Sequence, residues 1–132
     1  MHPLTREWID KADGDLHTAQ REIRARVDPN YDAVCFHSQQ VGEKCIKAVL
    51  QEHGIPIPKI HSLTDLLAMI TKIDLEFQQI ESDAIILEGY AVQFRYPGTS
   101  AIKQEARMAL LSAERISKFI QTKLNNLRPL SQ

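Results

Sequence analysis

Residues 31–53 read YDAVCFHSQQVGEKCIKAVLQEH, with apolar side chains recurring at intervals of three and four residues. This period predicts an α-helix that stops at Gly54. At 100° per residue, its apolar positions cover about half of the helix circumference or more. They are Tyr31, Val34, Cys35, Val41, Cys45, Ile46, Ala48, Val49 and Leu50. A face this wide requires several neighbours, so we predict that this helix lies at the centre of the fold.

Polar side chains of the same helix lie both within its apolar arc and on the opposite face. Ser38 and Gln39 lie within the apolar arc, and buried polar groups require hydrogen-bond partners. We therefore expect a polar group of another segment beside them. The opposite side carries His37, Gln40, Lys44 and Lys47.

The helical period continues along the rest of the chain. Turn-forming residues separate the periodic segments at Asp28-Pro29-Asn30, in the proline-containing run 55–58 and at Pro97-Gly98. The predicted helices span about residues 5–27, 31–53, 62–73, 75–94 and 100–127. We predict an all-α fold, a single domain over residues 1–132 that forms an up-and-down bundle of four to five helices.

Local signals place several helix ends and turns. Thr5 is a candidate N-cap of the first helix. Ser62-Leu63-Thr64-Asp65 resembles a capping box, with Asp65 in place of the usual glutamate. Pro97-Gly98 fits the two central positions of a type II turn, in which glycine supplies a positive φ.

The composition is that of an ordinary globular domain, with 43% hydrophobic and 25% charged residues. No run of about 18 apolar residues occurs and residues 1–8 are polar, so we expect neither a transmembrane helix nor a signal peptide. Cys35 and Cys45 would lie about 15 Å apart on one helix, too far for a disulfide. We interpret them as reduced packing residues of a cytoplasmic protein. His and Cys spacings match no metal motif and no Gly-rich phosphate loop occurs, so we predict no metal and no cofactor.

The charges nearly balance overall but are unevenly distributed, with 16 Lys and Arg against 17 Asp and Glu. Residues 74–88 contain five acids and no Lys or Arg, whereas residues 103–128 contain six bases and two acids. A short turn joins the fourth and fifth helices and predicts antiparallel packing, which would bring these opposite charges together. The alternative is that the fifth helix presents a basic strip to an acidic partner or to RNA.

Three stretches resemble, in order and spacing, the signatures of the HEPN family. They are residues 36–48 (FHSQQVGEKCIKA), 59–63 (KIHSL) and 94–98 (FRYPG). The first is similar to the family's second helix, the second to its "T-H-x-L" entry to the third helix, and the third to its "R-Y-P-D" turn before the last helix. HEPN domains are helical domains first described as nucleotide-binding in higher eukaryotes and prokaryotes.

The resemblance implies a dimeric up-and-down bundle similar to the helical domain of kanamycin nucleotidyltransferase. Prokaryotic members are often encoded beside a minimal nucleotidyltransferase and act with it as a toxin–antitoxin pair. Many members are metal-independent RNases with an Arg-x(4–6)-His motif at the start of the last helix, and the dimer brings two such motifs together. This chain departs from that motif. The residues that follow Arg95 at 100–102 are Ser, Ala and Ile, and no histidine follows His61.

The candidate ligand-binding residues are Arg95, Tyr96, His37, Gln39, Gln40 and Lys44. Arg95 would grip a phosphate or carboxylate with its planar guanidinium, or pair instead with an acid of the fourth helix such as Glu88. Tyr96 would stack on a base or simply cover the core. No residue is assigned as catalytic. If the chain is catalytic, the candidates are Arg95 and His61. His61 would then supply, from another part of the chain, the proton-transfer group that the turn lacks.

Three functional hypotheses follow from these residues. We prefer a homodimeric binding module that associates with a nucleotidyltransferase-type partner and binds a nucleotide or RNA. The second hypothesis is a divergent metal-independent endoribonuclease that uses Arg95 with a histidine of another helix. The third is a small-ligand sensor whose pocket is lined by Ser38 and Gln39.

Overall fold

The computed structural model describes residues 1–94 and 96–127 and contains five α-helices and one 3₁₀-helix in that part of the chain. The α-helices are α1 (Pro3–Ile23), α2 (Tyr31–Glu52), α3 (Leu63–Thr71), α4 (Glu81–Gln93) and α5 (Lys103–Asn126), and the 3₁₀-helix Leu75–Ile80 lies between α3 and α4. These ranges include no β-strand. The predicted all-α fold is therefore confirmed.

Helix α2 lies at the centre of the bundle, as its wide apolar face predicts. It packs against α1, α3, α4 and α5, and every residue from Cys45 to Leu50 is buried. Gly42 marks the closest approach, because a Cβ atom there would lie 3.2 Å from Leu63 Cδ1 and 3.3 Å from Leu87 Cδ1. The glycine thus lets α2 pack tightly against the start of α3 and the middle of α4.

Contacts between the helices show their relative directions. The two ends of α1 meet the opposite ends of α2, since His2 N donates to Glu52 at 3.0 Å and Asn30 N donates to Glu22 at 2.8 Å. These two helices are therefore antiparallel, as an up-and-down bundle requires.

The acidic segment and α5 are antiparallel and complementary in charge. Asp74 pairs with Lys123 at 2.5 Å, and Asp83 pairs with Arg115 at 3.6 Å. From the first pair to the second, the residue number rises in the acidic segment and falls in α5, so the two run in opposite directions. This bears out the intramolecular interpretation of the charge pattern for these four residues.

The first helix begins and ends earlier than predicted. Its N-cap is His2, whose Nδ1 accepts a hydrogen bond from Leu4 N at 3.0 Å, while Thr5 is buried in the first turn. The Thr5 prediction was wrong because Pro3 favours the first helical turn and moves the start forward. The helix ends at Ile23, so the apolar spacing that continued to Val27 was misleading. Val27 is exposed.

The predicted helix 75–94 is in fact two elements. The chain forms a 3₁₀-helix over Leu75–Ile80, capped by Asp74 Oδ1 at 2.9 Å from Glu76 N, before α4 begins at Glu81. Phe77 and Ile80 are three residues apart and both buried, and a 3₁₀-helix places side chains at that spacing in line. The turn after α4 has the predicted positive φ, +96° at Gly98.

Candidate functional site

A cavity of about 570 Å³ opens between α2, the entry to α3 and the end of α4. Residues from all three signature stretches line it: Phe36, Gln39, Gln40 and Glu43 from the first, His61 and Ser62 from the second, and Phe94 from the third. Asp32, Cys35, Glu88, Tyr90 and Ala91 complete the lining. The stretches are far apart in sequence, so the fold brings them together at this one place.

Aromatic rings form one part of the cavity wall. Tyr90 and Phe94 stack with centroids 5.7 Å apart at an interplanar angle of 26°. Phe36, on the facing helix, remains 55% exposed. Burial, followed by the charge of Glu105, raises the pKa of the Tyr90 phenol. The phenol therefore stays neutral and able to donate a hydrogen bond.

The buried carboxylate of Glu43 organises the polar part of the cavity. It accepts hydrogen bonds from Lys47 Nζ at 2.8 Å, His61 Nδ1 at 2.9 Å and Gln39 Nε2 at 3.3 Å. Burial acts to raise the pKa of Glu43, but these hydrogen bonds outweigh it and hold the pKa below its usual range. The carboxylate is therefore ionised and fully engaged by its neighbours.

Gln39 extends this network toward the cavity. Its Oε1 accepts from Gln40 Nε2 at 2.8 Å. The partners of Gln39 among the described residues therefore belong to α2 itself, and the prediction of a polar group from another segment beside Gln39 was wrong there; His61 joins the network only through Glu43. Ser38 is buried as predicted, but its hydroxyl has no hydrogen-bond partner among the described residues, so the polar partner predicted for it is absent there.

His61 is held by its carboxylate partner but faces solvent. Its Nδ1 carries the hydrogen donated to Glu43, and 79% of its side chain is exposed. In the neutral imidazole, the second ring nitrogen, Nε2, is then an acceptor. A carboxylate that orients an imidazole in this way is an arrangement suited to proton transfer.

Glu88 of α4 fixes the segment that carries His61. Its carboxylate accepts from Ser62 Oγ at 3.0 Å, Thr64 N at 3.0 Å and Thr64 Oγ1 at 3.1 Å. Burial acts to raise the pKa of Glu88, but the hydrogen bonds from Thr64 and Ser62 lower it overall. Ser62 Oγ also accepts from Asp65 N at 3.3 Å, as the predicted capping box requires. The acidic residue that completes this cap comes from α4 rather than from Asp65.

Two of the predicted ligand-binding residues are bound elsewhere. His37 Nδ1 lies 2.8 Å from Asp15 and Lys44 Nζ lies 2.5 Å from the same carboxylate, which belongs to α1. Neither residue lines the cavity. Lys47, which we placed on the solvent side of α2, is buried and lies 5.8 Å from the Trp8 ring. Its stem covers apolar surface while Glu43 neutralises its charge.

The remaining predicted residues divide into three cases. Gln39 and Gln40 line the cavity. Tyr96 is 64% exposed, so it does not cover the core. Arg95 lies outside the described residues, and its roles remain predictions.

Sequence reasoning gave no site role to Glu43 or Tyr90, and it named Glu88 only as the alternative partner of Arg95. The sequence did contain a signal for Glu43, because Glu43 and Lys47 are four residues apart on a helix and can form an ion pair. The partners of Glu88 lie on another helix, and only the tertiary fold brings them together.

The fold and the cavity define a small helical bundle in which three separated signatures form one polar and aromatic site. A protein-family model described as "HEPN domain" matches residues 5–124. The chain therefore belongs to the HEPN domain family. No helix of the described residues has the length and apolar character to cross a membrane.

Solved structures of the same fold agree with this assignment. The chain is similar to an archaeal HEPN homologue (25% identity, TM-score 0.74), covering 93% of this chain and 98% of that one. It is also similar to a HEPN domain protein of Thermotoga maritima (26%, TM-score 0.74), with 92% and 99% coverage, and to a protein of Thermus thermophilus (25%, TM-score 0.74), again with 92% and 99%. No curated protein matches the sequence.

Proposed function

We propose that this chain is a HEPN binding module whose cavity receives the base of a nucleotide or of an RNA strand. The convergence of the three signature stretches on one cavity carries the proposal. Aromatic rings there offer stacking surfaces for a base, and the amide of Gln40 offers groups that can bond the edge of a base. Arg95 directly follows Phe94 in sequence and is the residue proposed to hold the phosphate.

The charges of the lining are compatible with such a ligand. Glu43 and Glu88 are occupied by hydrogen bonds, and Asp32 Oδ1 accepts from Ala101 N at 2.6 Å. Carboxylates engaged in this way hold the walls in place. The Gln40 side-chain carbonyl remains as an acceptor for the ligand, and so does His61 Nε2 in the neutral imidazole.

The proposed module acts as a homodimer together with a nucleotidyltransferase-type partner, as in a toxin–antitoxin pair. Support comes from the family resemblance and from two large aromatic side chains left in solvent, Phe36 and Tyr96. Exposed aromatic side chains are typical of surfaces that another chain covers. The free thiols of Cys35 and Cys45 suit the proposed cytoplasmic location.

Base binding is tested by thermal unfolding in the presence of each nucleoside monophosphate. A ligand at a hundredfold excess over its Kd stabilises the fold by about 2.7 kcal/mol. Gln40→Ala is expected to abolish most of this gain, whereas the exposed control Gln79→Ala keeps it. Equal stabilisation of both variants, or none of the wild type by any nucleotide, contradicts the proposal. Co-purification with the product of an adjacent gene tests the partner.

A second candidate function, metal-independent endoribonuclease, is favoured by the 2.9 Å bond between His61 and Glu43. His61 would supply the proton-transfer group, and Arg95 would stabilise the charge on phosphate. RNA cleavage in the presence of a chelator is expected to fall in His61→Gln and Arg95→Ala and to persist in the exposed control His53→Gln. Absence of any cleavage by the wild type rules this candidate out.

A further inference from the structure

A second hollow, of about 670 Å³, lies between the end of α1 and the first turns of α5. Four basic residues line it, Arg24 and Arg26 from the α1 end and Lys103 and Arg107 from α5. Leu110 and the Tyr31 ring contribute apolar surface. The carboxylate of the lining, Glu114, accepts a hydrogen bond from Gln20 at 3.0 Å. We call this hollow the basic cleft.

The four bases are not neutralised by the fold. Some other cations of the bundle are paired, for example Lys44 with Asp15 and Lys123 with Asp74. None of the bases of the cleft forms an ion pair with a carboxylate of the described residues. The net charge of the whole chain is −1, so a general excess of bases does not explain this cluster.

The position of Lys103 also opposes folding. Lys103 is the first residue of α5 and Arg107 follows one turn later. The amino end of a helix carries partial positive charge, and cations there are unfavourable. The dipole accounts for Arg24 at the carboxyl end of α1, but it makes Lys103, in the first turn of α5, costly. A bound anion would offset both the mutual repulsion and this dipole term.

A third hollow lies between the basic cleft and the cavity of the candidate site. It has a volume of about 360 Å³ and shares Tyr31 with the cleft and Asp32 with the cavity. These two neighbouring residues begin α2. A strand that occupied both the cavity and the cleft would cross this end of the bundle.

We propose that the basic cleft binds a run of consecutive phosphate groups. Lys103 and Arg107 are separated by about 6 Å along the helix axis, so they meet successive groups rather than a single one. The phosphates belong either to the backbone of an RNA strand that crosses from the cavity or to a free polyphosphate chain. This site goes beyond the proposed function because it requires no base in the cavity.

Two double variants test the site, Arg24→Gln with Arg26→Gln and Lys103→Gln with Arg107→Gln. The matched control removes two exposed bases away from the cleft, one on α1 and one on α5, by Lys11→Gln with Lys118→Gln. One probe is a fluorescein-labelled oligouridylate, and the other is inorganic tripolyphosphate, used as its competitor and in direct calorimetry. All six substitutions are on the surface, so each protein is expected to fold.

Four phosphate contacts predict that oligouridylate binding weakens about fifty-fold between 50 and 200 mM salt. Each double variant is expected to reduce this change to about seven-fold, because two contacts remain. The control is expected to retain the wild-type salt dependence. Binding of both probes, or of oligouridylate alone, supports the site, and the second result identifies the RNA backbone as the source of phosphate.

Three results overturn the proposal. They are no binding of either probe, an equal loss of salt dependence in the control and the double variants, and competition for oligouridylate binding by polyglutamate as strong as that by tripolyphosphate. Tripolyphosphate carries no base, so Gln40→Ala in the cavity is expected to leave its binding unchanged. Failure of nucleotide recognition in the cavity and failure of phosphate binding in the cleft are thus separate outcomes.

Discussion

The Nδ1 atom of His61 lies 2.9 Å from Oε2 of Glu43 and joins the exposed entry to α3 to a carboxylate buried in α2. The same carboxylate neutralises Lys47, which is itself buried. One side chain of the central helix therefore both compensates an internal cation and orients the histidine at the mouth of the cavity.

Replacement of this carboxylate is expected to destabilise the fold strongly. Glu43→Gln leaves Lys47 buried without a counter-charge, and breaking a buried ion pair in this way costs about 3 kcal/mol. Urea unfolding measures the change, with the exposed Glu7→Gln as the control. A difference between the two variants below about 0.5 kcal/mol, the range of ordinary surface substitutions, contradicts the role given to Glu43.

The stability of the protein is expected to fall at acid pH, in part through Glu88. The hydrogen bonds from Thr64 and Ser62 place its pKa below the usual value, so the folded state binds its proton less readily than the unfolded chain. This contribution is present above the ordinary glutamate pKa of about 4.3 and is lost as the pH falls through the lowered pKa. The pKa of Glu43 is also lowered, so this carboxylate too contributes stability that is lost at acid pH.

The test for Glu88 is thermal unfolding as a function of pH. Glu88→Gln keeps the shape of the side chain but cannot titrate, so its acid limb is expected to be shallower than that of the wild type. The exposed acid Asp65→Asn serves as the control. Identical slopes for the wild type and Glu88→Gln exclude a contribution of this carboxylate.

The amide of Gln39 is expected to contribute to stability more than a surface glutamine does. Gln39→Ala removes the acceptor of Gln40 Nε2 and one donor to Glu43, and unsatisfied buried polar groups cost about 1–3 kcal/mol. Gln79→Ala, on an exposed position, is the matched change. Denaturant unfolding of the two variants with indistinguishable midpoints would show that the network is dispensable.

Much of the fold was predictable because its apolar periods are long and clear. Helix α2 was placed to within a residue at each end, since Asn30 and Gly54 give strong boundary signals. The start of α1 was misplaced because a histidine cap is uncommon, and Pro3 outweighed the more usual Thr5. The 3₁₀-helix was merged with α4, since Phe77 and Ile80 fit either period.

The site was less predictable than the fold. Gln39 was recognised from its place in an apolar arc, which a single helix reveals. The roles of Glu43, Glu88 and Tyr90 depend on how α2, α4 and the entry to α3 meet, and the period of one helix carries no such information. His37 and Lys44 were placed on the side of α2 opposite its apolar arc, yet that side meets Asp15 of α1.

A methyl group at Gly42 is expected to be unfavourable. Its nearest neighbours, the Cδ1 atoms of Leu63 and Leu87, belong to fully buried side chains with little room to move. Overpacking costs about 1–3 kcal/mol, and the helical preference of alanine returns about 1 kcal/mol. Gly42→Ala is therefore expected to lower the free energy of unfolding by about 1 kcal/mol.

The control for that change is Gly14→Ala in α1, where an added Cβ meets no atom within 4 Å. It gains the helical preference without the crowding and is expected to stabilise the protein by about 1 kcal/mol. Denaturant midpoints moving in opposite directions for the two variants confirm the close approach of α2 to its neighbours. If both substitutions stabilised the protein, α2 would pack less closely at Gly42 than the structure indicates.

The two cysteines are expected to be unreactive in the folded protein. Burial raises the pKa of each thiol to about 12, with the charge of Asp32 adding to the effect on Cys35 and that of Asp13 on Cys45. The thiolate is the reactive form, and it is scarce far below the pKa. Iodoacetamide labelling followed by mass spectrometry is expected to modify neither residue without denaturant and both in urea. Labelling of Cys35 in the native protein at the rate of a free thiol would show that the cavity opens to the solvent beside it.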